Sequence, residues 1–385
     1  FHIDFSSQKY KINEYIFIKH NIFPGTQRKD IVDVARNHLG LHSARIMTPY
    51  TTLCSRINGY NTKMLTSQLY EKKNLIKMRC MRTTLHMVPL DIASILHMAT
   101  LDLRLAECRL FCSRNNIDIN FIKDIREELI DFVDSEKSSN EIESKILDKL
   151  FFCEIDLKKE CAKKILKYLW EEGVFCYVNT ADNWENEERK YSITKKFYPN
   201  LDLEKYSTSD AQRLLVYEYI KKFGPATLKD LSWWSGLSKK TIKKIIDEYH
   251  YSIIEFKINN FESSFYVLEE EYHKLEQYKT KGIEWVTLLA YEDPSLKGYY
   301  ESRSRYVNKE YYNLLFNQIG EVRASIIYNG KAIGIWEWDK KQKHIILQYF
   351  SNPASSIKRE VKRIKEYYEN ILCPNRQITL FDGFL

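Results

Sequence analysis

The sequence predicts an α+β protein in which three tandem winged helix-turn-helix modules precede a small, barrel-like β domain. Three observations support this prediction: the length of 385 residues, a helix-rich pattern that occurs three times, and strand-like segments after residue 283. A chain of this length exceeds what one hydrophobic core usually serves, so several modules are expected. The predicted modules are 1–115, 116–206, 207–282 and 283–385.

The first module is predicted from amphipathic helices followed by two extended segments. Apolar residues recur at helical spacing over 26–39, with Thr26 as the expected N-cap. Pro49 suits the first turn of the next helix. This order, helices followed by a pair of strands, is found in a winged helix-turn-helix. The predicted elements are helices 26–39, 48–57, 62–72 and 91–115 and strands 75–82 and 83–88.

The second and third modules repeat this order. In the third, Gly236 separates two short helices, and the sharp turn of a helix-turn-helix favours a residue that tolerates positive φ. The predicted elements of the second module are helices 119–134 and 157–172, a helix starting within 134–144, and strands 174–178 and 191–194. Those of the third are helices 208–223, 228–235 and 239–249 and strands 253–258 and 264–268.

The C-terminal region is predicted to be a β domain with one basic helix packed on it. Asn329-Gly330 is a strong hairpin turn between two apolar segments. The predicted strands are 286–290, 323–328, 331–338 and 344–350, followed by a helix over 354–370. These strands favour a small barrel.

Basic residues are concentrated on three of the predicted helices. The net charge is +7, from 59 Lys and Arg against 52 Asp and Glu, so the overall excess is modest. Helices 157–172 and 239–249 occupy recognition positions, where a helix-turn-helix contacts duplex DNA. They carry few Arg, Asn or Gln, which favours backbone contact over base recognition, with a solvated face as the alternative. The candidate DNA-binding lysines are Lys158, Lys159, Lys163, Lys239, Lys240, Lys243 and Lys244.

The eight cysteines favour buried thiols over a metal site. No Cys-x-x-Cys pair occurs, and Cys108 and Cys112 have no second ligand pair nearby. We therefore expect no metal, no cofactor and a reducing compartment. No window reaches about 18 uninterrupted apolar residues, which predicts no membrane segment. The first residues lack a basic region followed by an apolar run, which predicts no signal peptide. A monomer is favoured.

Residues 39–59 carry the strongest candidate for a catalytic residue. His42 stands where the first predicted helix ends, and small polar residues lead from it to the next helix. A histidine can orient or deprotonate a water molecule near neutral pH. The structural alternative is an imidazole at a helix end that donates a hydrogen bond to a carbonyl oxygen.

Several segments of the sequence resemble a DNA-repair family. They are Leu39–Ala44 with the helix that follows, Met81–Val88 followed by Asp91, Gly224–Leu237, and, more weakly, Leu289–Asp293 with Asn329–Trp336. In order and spacing they resemble the winged-helix DNA glycosylases typified by AlkZ and YcaQ. The resemblance spans residues 10–370.

This resemblance implies duplex DNA as the partner, bound on a positively charged concave surface. It implies metal-free hydrolysis of the N-glycosidic bonds of alkylated or crosslinked purines, in the cytoplasm of a bacterium and in association with the nucleoid. The catalytic motif of the family, Gln-x-Gln or Gln-x-Asp, aligns with His42, Ser43 and Ala44. Ala44 departs from the motif, because a methyl group neither positions a water nor stabilises an oxocarbenium ion.

Further residues near these segments have two interpretations each. Arg45, Arg79 and Arg82 are candidate phosphate contacts, although Arg79 and Arg82 are equally suited to ion pairs with acids. For His86, a structural hydrogen bond that holds the first wing is favoured over a catalytic role.

Glu292 and Asp293 would offer a carboxylate to the site if the β domain reaches it. Trp233 and Trp234 are expected to lie in the hydrophobic core. Three hypotheses follow for the whole chain. One is a DNA glycosylase, and another is a catalytically inactive DNA-binding or regulatory protein on the same scaffold. The third is a scaffold whose winged helices bind protein partners, against which the basic recognition helices argue.

Overall fold

The computed structural model describes residues 8–150, 155–249, 252–258 and 261–374. The residues on which the expectation of no signal peptide rests lie outside this range. The α-helices of the described part are α1 (Gln8–Lys19), α2 (Ile31–Asn37), α3 (Thr48–Cys54), α4 (Thr62–Thr66), α5 (Leu90–Arg114), α6 (Ile119–Phe132), α7 (Ser139–Leu147), α8 (Ile155–Glu171), α9 (Thr194–Phe197), α10 (Thr208–Phe223), α11 (Leu228–Ser235), α12 (Lys239–Glu248), α13 (Glu269–Gln277), α14 (Pro294–Lys297), α15 (Tyr312–Leu315) and α16 (Ser355–Leu372).

The strands form four small antiparallel sheets. Three sheets share one topology, in which a two-residue strand pairs with the second strand of a hairpin: β1-β3-β2, β4-β6-β5 and β7-β9-β8. The fourth sheet is the meander β10-β11-β12-β13. The strands are β1 (Leu41–His42), β2 (Leu75–Arg79), β3 (Leu85–Pro89), β4 (Lys137–Ser138), β5 (Phe175–Asn179), β6 (Arg189–Ile193), β7 (Ala226–Thr227), β8 (Ile253–Phe256), β9 (Phe265–Leu268), β10 (Val286–Leu289), β11 (Ser325–Tyr328), β12 (Lys331–Asp339) and β13 (His344–Tyr349).

The C-terminal sheet is open, so the expected barrel is wrong for the described residues. Strands β10 and β13 lie at opposite edges of the meander, and each pairs with one neighbour only. Helix α16 packs against this sheet, with Val361 and Tyr368 in the same apolar cluster as Ile326. Asn329 and Gly330 have positive φ angles of 46° and 76°, which confirms the predicted hairpin turn between β11 and β12.

The three helical units follow the predicted order of helices and hairpins. The assignment of these units as winged helices, and the boundaries at residues 115, 206 and 282, remain predictions. In the described part of the chain no helix is both long and apolar enough to cross a bilayer.

Asp30, rather than Thr26, sets where the second helix begins. Its carboxylate accepts hydrogen bonds from the amides of Val32 at 2.7 Å and Asp33 at 3.4 Å. A side-chain acceptor at the N-cap satisfies amides that have no partner inside the helix. Helix α2 therefore begins at residue 31, five residues later than the sequence pattern indicated.

The first sheet contributes each of its faces to a different apolar cluster. Leu41 and Met87 pack with α2 to α4 and the C-terminal sheet, whereas Ile76 and Val88 pack with α1, α5 and α10. Successive side chains of a strand point to opposite faces, so one short sheet joins two cores. The first helical unit and the C-terminal region are thereby held against each other.

A buried ion pair fixes the C-terminal region to the segment directly after α3, the helix that follows the His42 strand. Arg56 donates two parallel hydrogen bonds to Asp293, at 2.9 and 2.7 Å, and both side chains have no exposed surface. Arg56 also donates to Ser295 at 2.8 Å and lies 3.3 Å from a ring nitrogen of His38. Bidentate pairing of this kind is strongly directional.

Asp230 connects the third helical unit to the C-terminal region. With Thr227 it forms a capping box that begins α11. Its Oδ1 also accepts from the amides of Tyr300 and Glu301, both at 2.7 Å, and its Oδ2 accepts from the Ser302 hydroxyl at 2.8 Å. The segment after α14 is thus held against the N-terminus of α11, the first of the two short helices of the predicted helix-turn-helix.

Candidate active site

His42 lies on a short strand, not at a helix end. Helix α2 ends at Asn37, and Gly40 then brings the chain against β3 with a φ of 99°. A Cβ at Gly40 would lie 3.1 Å from Val88 Cγ2 and 3.3 Å from His86 Cβ, which is tighter than ordinary contact. Because glycine fits this close approach, His42 pairs opposite His86 in the sheet, with the two rings edge to face at 5.3 Å.

Two polar atoms beside this strand have no hydrogen-bond partner among the described residues. They are Nδ1 of His42 and Oγ of Ser43, and both side chains are at least 97% buried. The Ser43 amide, in contrast, donates to the Leu85 carbonyl at 2.8 Å. Buried polar atoms normally have a partner, so each of these orphaned atoms indicates a place for a water molecule or a ligand.

The environment of His42 keeps its imidazole neutral. Burial, followed by the positive charge of Lys297, lowers the pKa of His42 well below its usual value, and Arg82 and Arg45 lower it further. The neighbouring His86 has a pKa lowered to about 3 by burial and by Lys297, and its Nδ1 lies 3.1 Å from the Thr84 carbonyl oxygen. His86 is therefore bound structurally, whereas His42 retains a free ring nitrogen.

A carboxylate of the C-terminal region reaches this site through Lys297. Glu292 is 4% exposed and has a positive φ of 54°, an uncommon conformation for a residue other than glycine. One of its oxygens accepts from the Val322 amide at 2.7 Å, and the other lies 2.6 Å from Lys297 Nζ. Asp293, the other candidate carboxylate, is bound to Arg56 instead.

Arg45 lies at the exposed edge of the site. Its guanidinium lies 3.5 Å from the ring centroid of Tyr291, the residue immediately before Glu292. The Tyr291 hydroxyl in turn donates to Glu321. Ala44 and Arg45 are both exposed, so the chain turns outward directly after the buried His42 and Ser43.

Arg82 lies at the tip of the β2–β3 hairpin. Arg82 and Thr83 both have positive φ angles, of 51° and 58°. The Arg82 guanidinium lies 3.6 Å over the ring of Trp233, and the Trp233 ring packs at a tilt against Tyr300, with centroids 4.6 Å apart. Trp233 is half-buried and part of this aromatic surface, so its expected core position is wrong, whereas Trp234 is buried as expected.

A cleft of about 760 Å³ opens beside Arg45. It lies between the segment 45–51 and the C-terminal sheet, where Tyr291 and Trp338 line it with aromatic surface. Its charged lining residues are Arg45, Arg323, Lys340 and Glu337. Three cations against one anion give the cleft a positive charge suited to a phosphate-bearing ligand.

The remaining candidate DNA-binding residues lie on β2, α8 and α12. Arg79 pairs with Glu171 at 3.0 Å, so the ion-pair interpretation applies to it. Lys243 pairs with Asp247 at 3.0 Å. Helices α8 and α12 carry the other candidate lysines, of which Lys158 is half-buried and Lys159, Lys163, Lys239, Lys240 and Lys244 are exposed.

Sequence reasoning missed Lys297, Tyr291 and Arg303. Arg303 lies 5.3 Å from the Trp233 ring and 4.0 Å from that of Phe316. All three residues belong to a segment with acids, bases and aromatics at close spacing after β10. That density was the available signal, but no periodicity in it indicates which side chains turn toward His42.

The buried histidines predict a loss of stability on mild acidification. Burial lowers the pKa of His20, His38, His42, His86 and His97 from the ordinary 6.5, to about 3 for the last two. Below pH 6.5 the unfolded chain takes up protons that the folded chain does not. Stability therefore falls between pH 6.5 and 3, by up to about 1.4 kcal/mol per pH unit for each histidine.

Urea unfolding at pH 7.5 and pH 5.5 measures this effect. We expect a clearly lower midpoint at pH 5.5, and a smaller difference between the two pH values in His86→Gln protein that still folds. A His273→Gln variant, changed at an exposed position on α13, should behave as the wild type does. Equal midpoints at both pH values would contradict a set of histidines held neutral in the fold.

Known proteins resemble this chain in sequence and in fold. Residues 36–361 match the model of the family described as AlkZ-like DNA glycosylases. The structure is similar to that of the Streptomyces sahachiroi DNA glycosylase AlkZ, with a TM-score of 0.76 and 17% sequence identity over 94% of this chain and 96% of that chain. No curated protein sequence matches the chain.

The structural likeness, at 17% identity, establishes a shared fold. The family match covers most of the sequence and includes the His42 strand, the β2–β3 hairpin and the C-terminal sheet. It confirms the resemblance found from the segments at Leu39–Ala44, Met81–Val88 and Gly224–Leu237. The chain belongs to the AlkZ-like DNA glycosylase family.

Proposed function

We propose that this protein is a DNA glycosylase that hydrolyses the N-glycosidic bond of alkylated or crosslinked purines in duplex DNA. The observation that carries the proposal is the buried, neutral His42, whose Nδ1 has no hydrogen-bond partner among the described residues. Membership of a glycosylase family supports the same reaction class. This free ring nitrogen suits a water molecule held for attack on the sugar.

The reaction needs little help at the leaving group. An N7-alkylated purine is cationic, so the electron pair of the C1′–N9 bond passes to the base and the base leaves neutral. The oxygen of the bound water then bonds to C1′ of the oxocarbenium ion, and the water proton passes to His42. Positioning of this water and stabilisation of the developing positive charge are the enzyme's tasks.

Glu292 replaces the polar side chain that Ala44 lacks. A buried carboxylate stabilises an oxocarbenium ion electrostatically, because the charge interaction is weakly screened away from water. Lys297 fixes this carboxylate through its 2.6 Å contact. The positive φ of Glu292 supports the same role, since strained backbone is often retained at functional sites.

Duplex phosphates are bound by Arg45 and Arg82, which flank the His42 strand. Both guanidiniums lie on aromatic rings, and this packing preorganises them for bidentate phosphate contact. Phosphates at these positions offset the positive charges that act on His42 and raise its pKa toward the range of a useful base. The exposed lysines of α8 and α12 extend the contact along the DNA, as recognition helices of winged helix-turn-helix units.

The cleft beside Arg45 receives the substituent on the damaged base. Its volume of about 760 Å³ lies in the range of sites for drug-sized ligands and exceeds the need of a methyl group. We place the protein in the cytoplasm as a monomer, with double-stranded DNA as its partner and without a metal or cofactor.

Incubation with two defined duplexes tests this function. One carries a single N7-methylguanine and the other an interstrand crosslink between N7-alkylated purines, and abasic sites are revealed by cleavage with alkali. We expect the wild-type protein to create abasic sites above the spontaneous background in at least one duplex. Affinity for duplex DNA should also fall as the salt concentration rises, because phosphate contacts release counterions.

The second candidate function is a catalytically inactive DNA-binding or regulatory protein. The observation in its favour is Ala44, where the family motif has a glutamine or an aspartate. A catalytically inactive protein would bind duplex DNA in a salt-dependent way and would release no base from either substrate. The same experiment therefore separates the two functions, and duplex affinity that is insensitive to salt would contradict both.

A further inference from the structure

We propose that the loop between β5 and β6 competes with duplex DNA for a phosphate site on the turn between β12 and β13. This loop, residues 180–188, carries four acids and no Lys, Arg or His. The inference rests on the proposed binding of duplex DNA and adds to it an internal competitor. Acidic side chains are exposed in most proteins, so the contacts of the loop carry the proposal rather than its charge alone.

Glu185 holds the acidic loop against the basic turn of residues 340–343. Its carboxylate pairs with Lys343 and accepts a hydrogen bond at 2.7 Å from the indole Nε1 of Trp338. Its carbonyl oxygen accepts from Lys340 Nζ at 3.2 Å. One acidic residue thus binds both lysines through several oxygen atoms, as a phosphate group would.

The loop contacts elements from both walls of the cleft beside Arg45. The Trp184 ring packs at a tilt against Tyr50 of α3, with centroids 5.5 Å apart, and against Trp338 of β12, at 6.3 Å. Helix α3 and strand β12 both line the cleft, and Lys340 is one of its charged lining residues. Lys340 therefore belongs both to the contact with the loop and to the cleft where Arg45 is proposed to bind a phosphate.

The contact made by Glu185 can be exchanged for a phosphate, unlike the ion pair that fixes the C-terminal region. Lys343 is 39% exposed, whereas Arg56 and Asp293 have no exposed surface. A partly exposed ion pair contributes little to stability, because water solvates the two charges nearly as well when they separate. Release of Lys343 therefore costs the fold little.

Glu185 opposes duplex binding as long as it occupies the lysines. The charge of Lys343 is then neutralised, and an acid stands where a phosphate would bind. Because the acid belongs to the same chain, its effective concentration at the site is high. The apparent affinity for duplex DNA is therefore lower than it would be with the lysines free.

Duplex binding by charge variants tests this competition, with fluorescence anisotropy at physiological salt as the readout. Glu185→Gln keeps the shape of the side chain and an acceptor for Trp338, but it removes the charge that pairs with Lys343. We expect it to bind duplex DNA about two- to fivefold more tightly than the wild type does. In Lys343→Gln protein, which lacks the cation of the site, the same substitution should give no such gain.

Glu188→Gln is the matched control, because it removes one negative charge from the same loop. Glu188 pairs with Lys190 of its own hairpin at 3.4 Å, and salt screens charges that are not in contact with the DNA. This variant should bind duplex DNA as the wild type does. Thermal unfolding checks that each variant is folded.

Three results would overturn the competition and leave the proposed function intact. They are an unchanged or lower affinity of Glu185→Gln, an equal gain in Glu188→Gln, and a gain that persists in Lys343→Gln protein. Failure of both the wild type and Glu185→Gln to bind duplex DNA overturns the proposed duplex binding and the competition together.

Discussion

His42→Ala is expected to lower the single-turnover rate of base release by about 10²- to 10⁴-fold, the contribution usual for one positioned acid–base group. The variant loses the ring nitrogen that holds the attacking water, whereas Arg45 and Arg82 still bind the duplex. We therefore expect DNA affinity within twofold of the wild-type value, as measured by fluorescence anisotropy. The rate is measured with protein in excess over a duplex containing N7-methylguanine.

His273→Ala is the control for this substitution, because His273 is an exposed residue of α13. Its rate and its thermal midpoint should match those of the wild type. Thermal unfolding of His42→Ala separates a catalytic loss from a folding defect, since the cavity left in the sheet lowers the midpoint without removing the fold. Wild-type rates in a folded His42→Ala protein would exclude His42 as the residue that activates water.

Asp293→Ala is expected to lower the free energy of unfolding by about 3–5 kcal/mol. The substitution leaves Arg56 fully buried with its positive charge uncompensated, since the bidentate contact of 2.7 and 2.9 Å is lost. The Ser295 amide, which donates to Asp293 at 2.9 Å, loses its acceptor as well. Urea unfolding of the purified variant at pH 7.5 measures the change.

Asp102→Ala is the matched comparison at the surface. Asp102 pairs with Arg109 at a similar distance of 2.9 Å, but both side chains are largely exposed, at 68% and 44%. Removal of an exposed pair changes stability by about 1 kcal/mol or less. Similar effects of Asp102→Ala and Asp293→Ala would contradict the role of the buried pair in holding the C-terminal region.

The longer helices and the hairpins could be predicted from the sequence, because their signals are local. Helices α10 and α11 have the predicted bounds, 208–223 and 228–235, and Asn329-Gly330 fixes the hairpin between β11 and β12. The two-residue strands β1, β4 and β7 had no such signal. Each is defined by its pairing with a distant hairpin, and two residues are too few to show an alternating pattern.

The sequence singled out His42 as a candidate, but not the residues that lie near it. It placed His42 at a helix end rather than on a strand, because the close approach of Gly40 to β3 that forms the strand is a contact with a distant segment. Lys297 and Glu292 come from a region more than 240 residues further along the chain. The buried Arg56–Asp293 pair and the packing of the C-terminal sheet bring that region to the His42 strand.

Release of free N7-methylguanine from a duplex with one modified guanine is the most direct measurement of the central claim. The released base is quantified by mass spectrometry in single-turnover time courses with wild-type protein, with His42→Ala protein and without protein. The proposed mechanism predicts first-order release by the wild type that clearly exceeds spontaneous depurination, and release near the spontaneous rate for His42→Ala. Wild-type release equal to the spontaneous rate, with crosslinked duplex DNA equally unaffected, would contradict glycosylase activity at the His42 site.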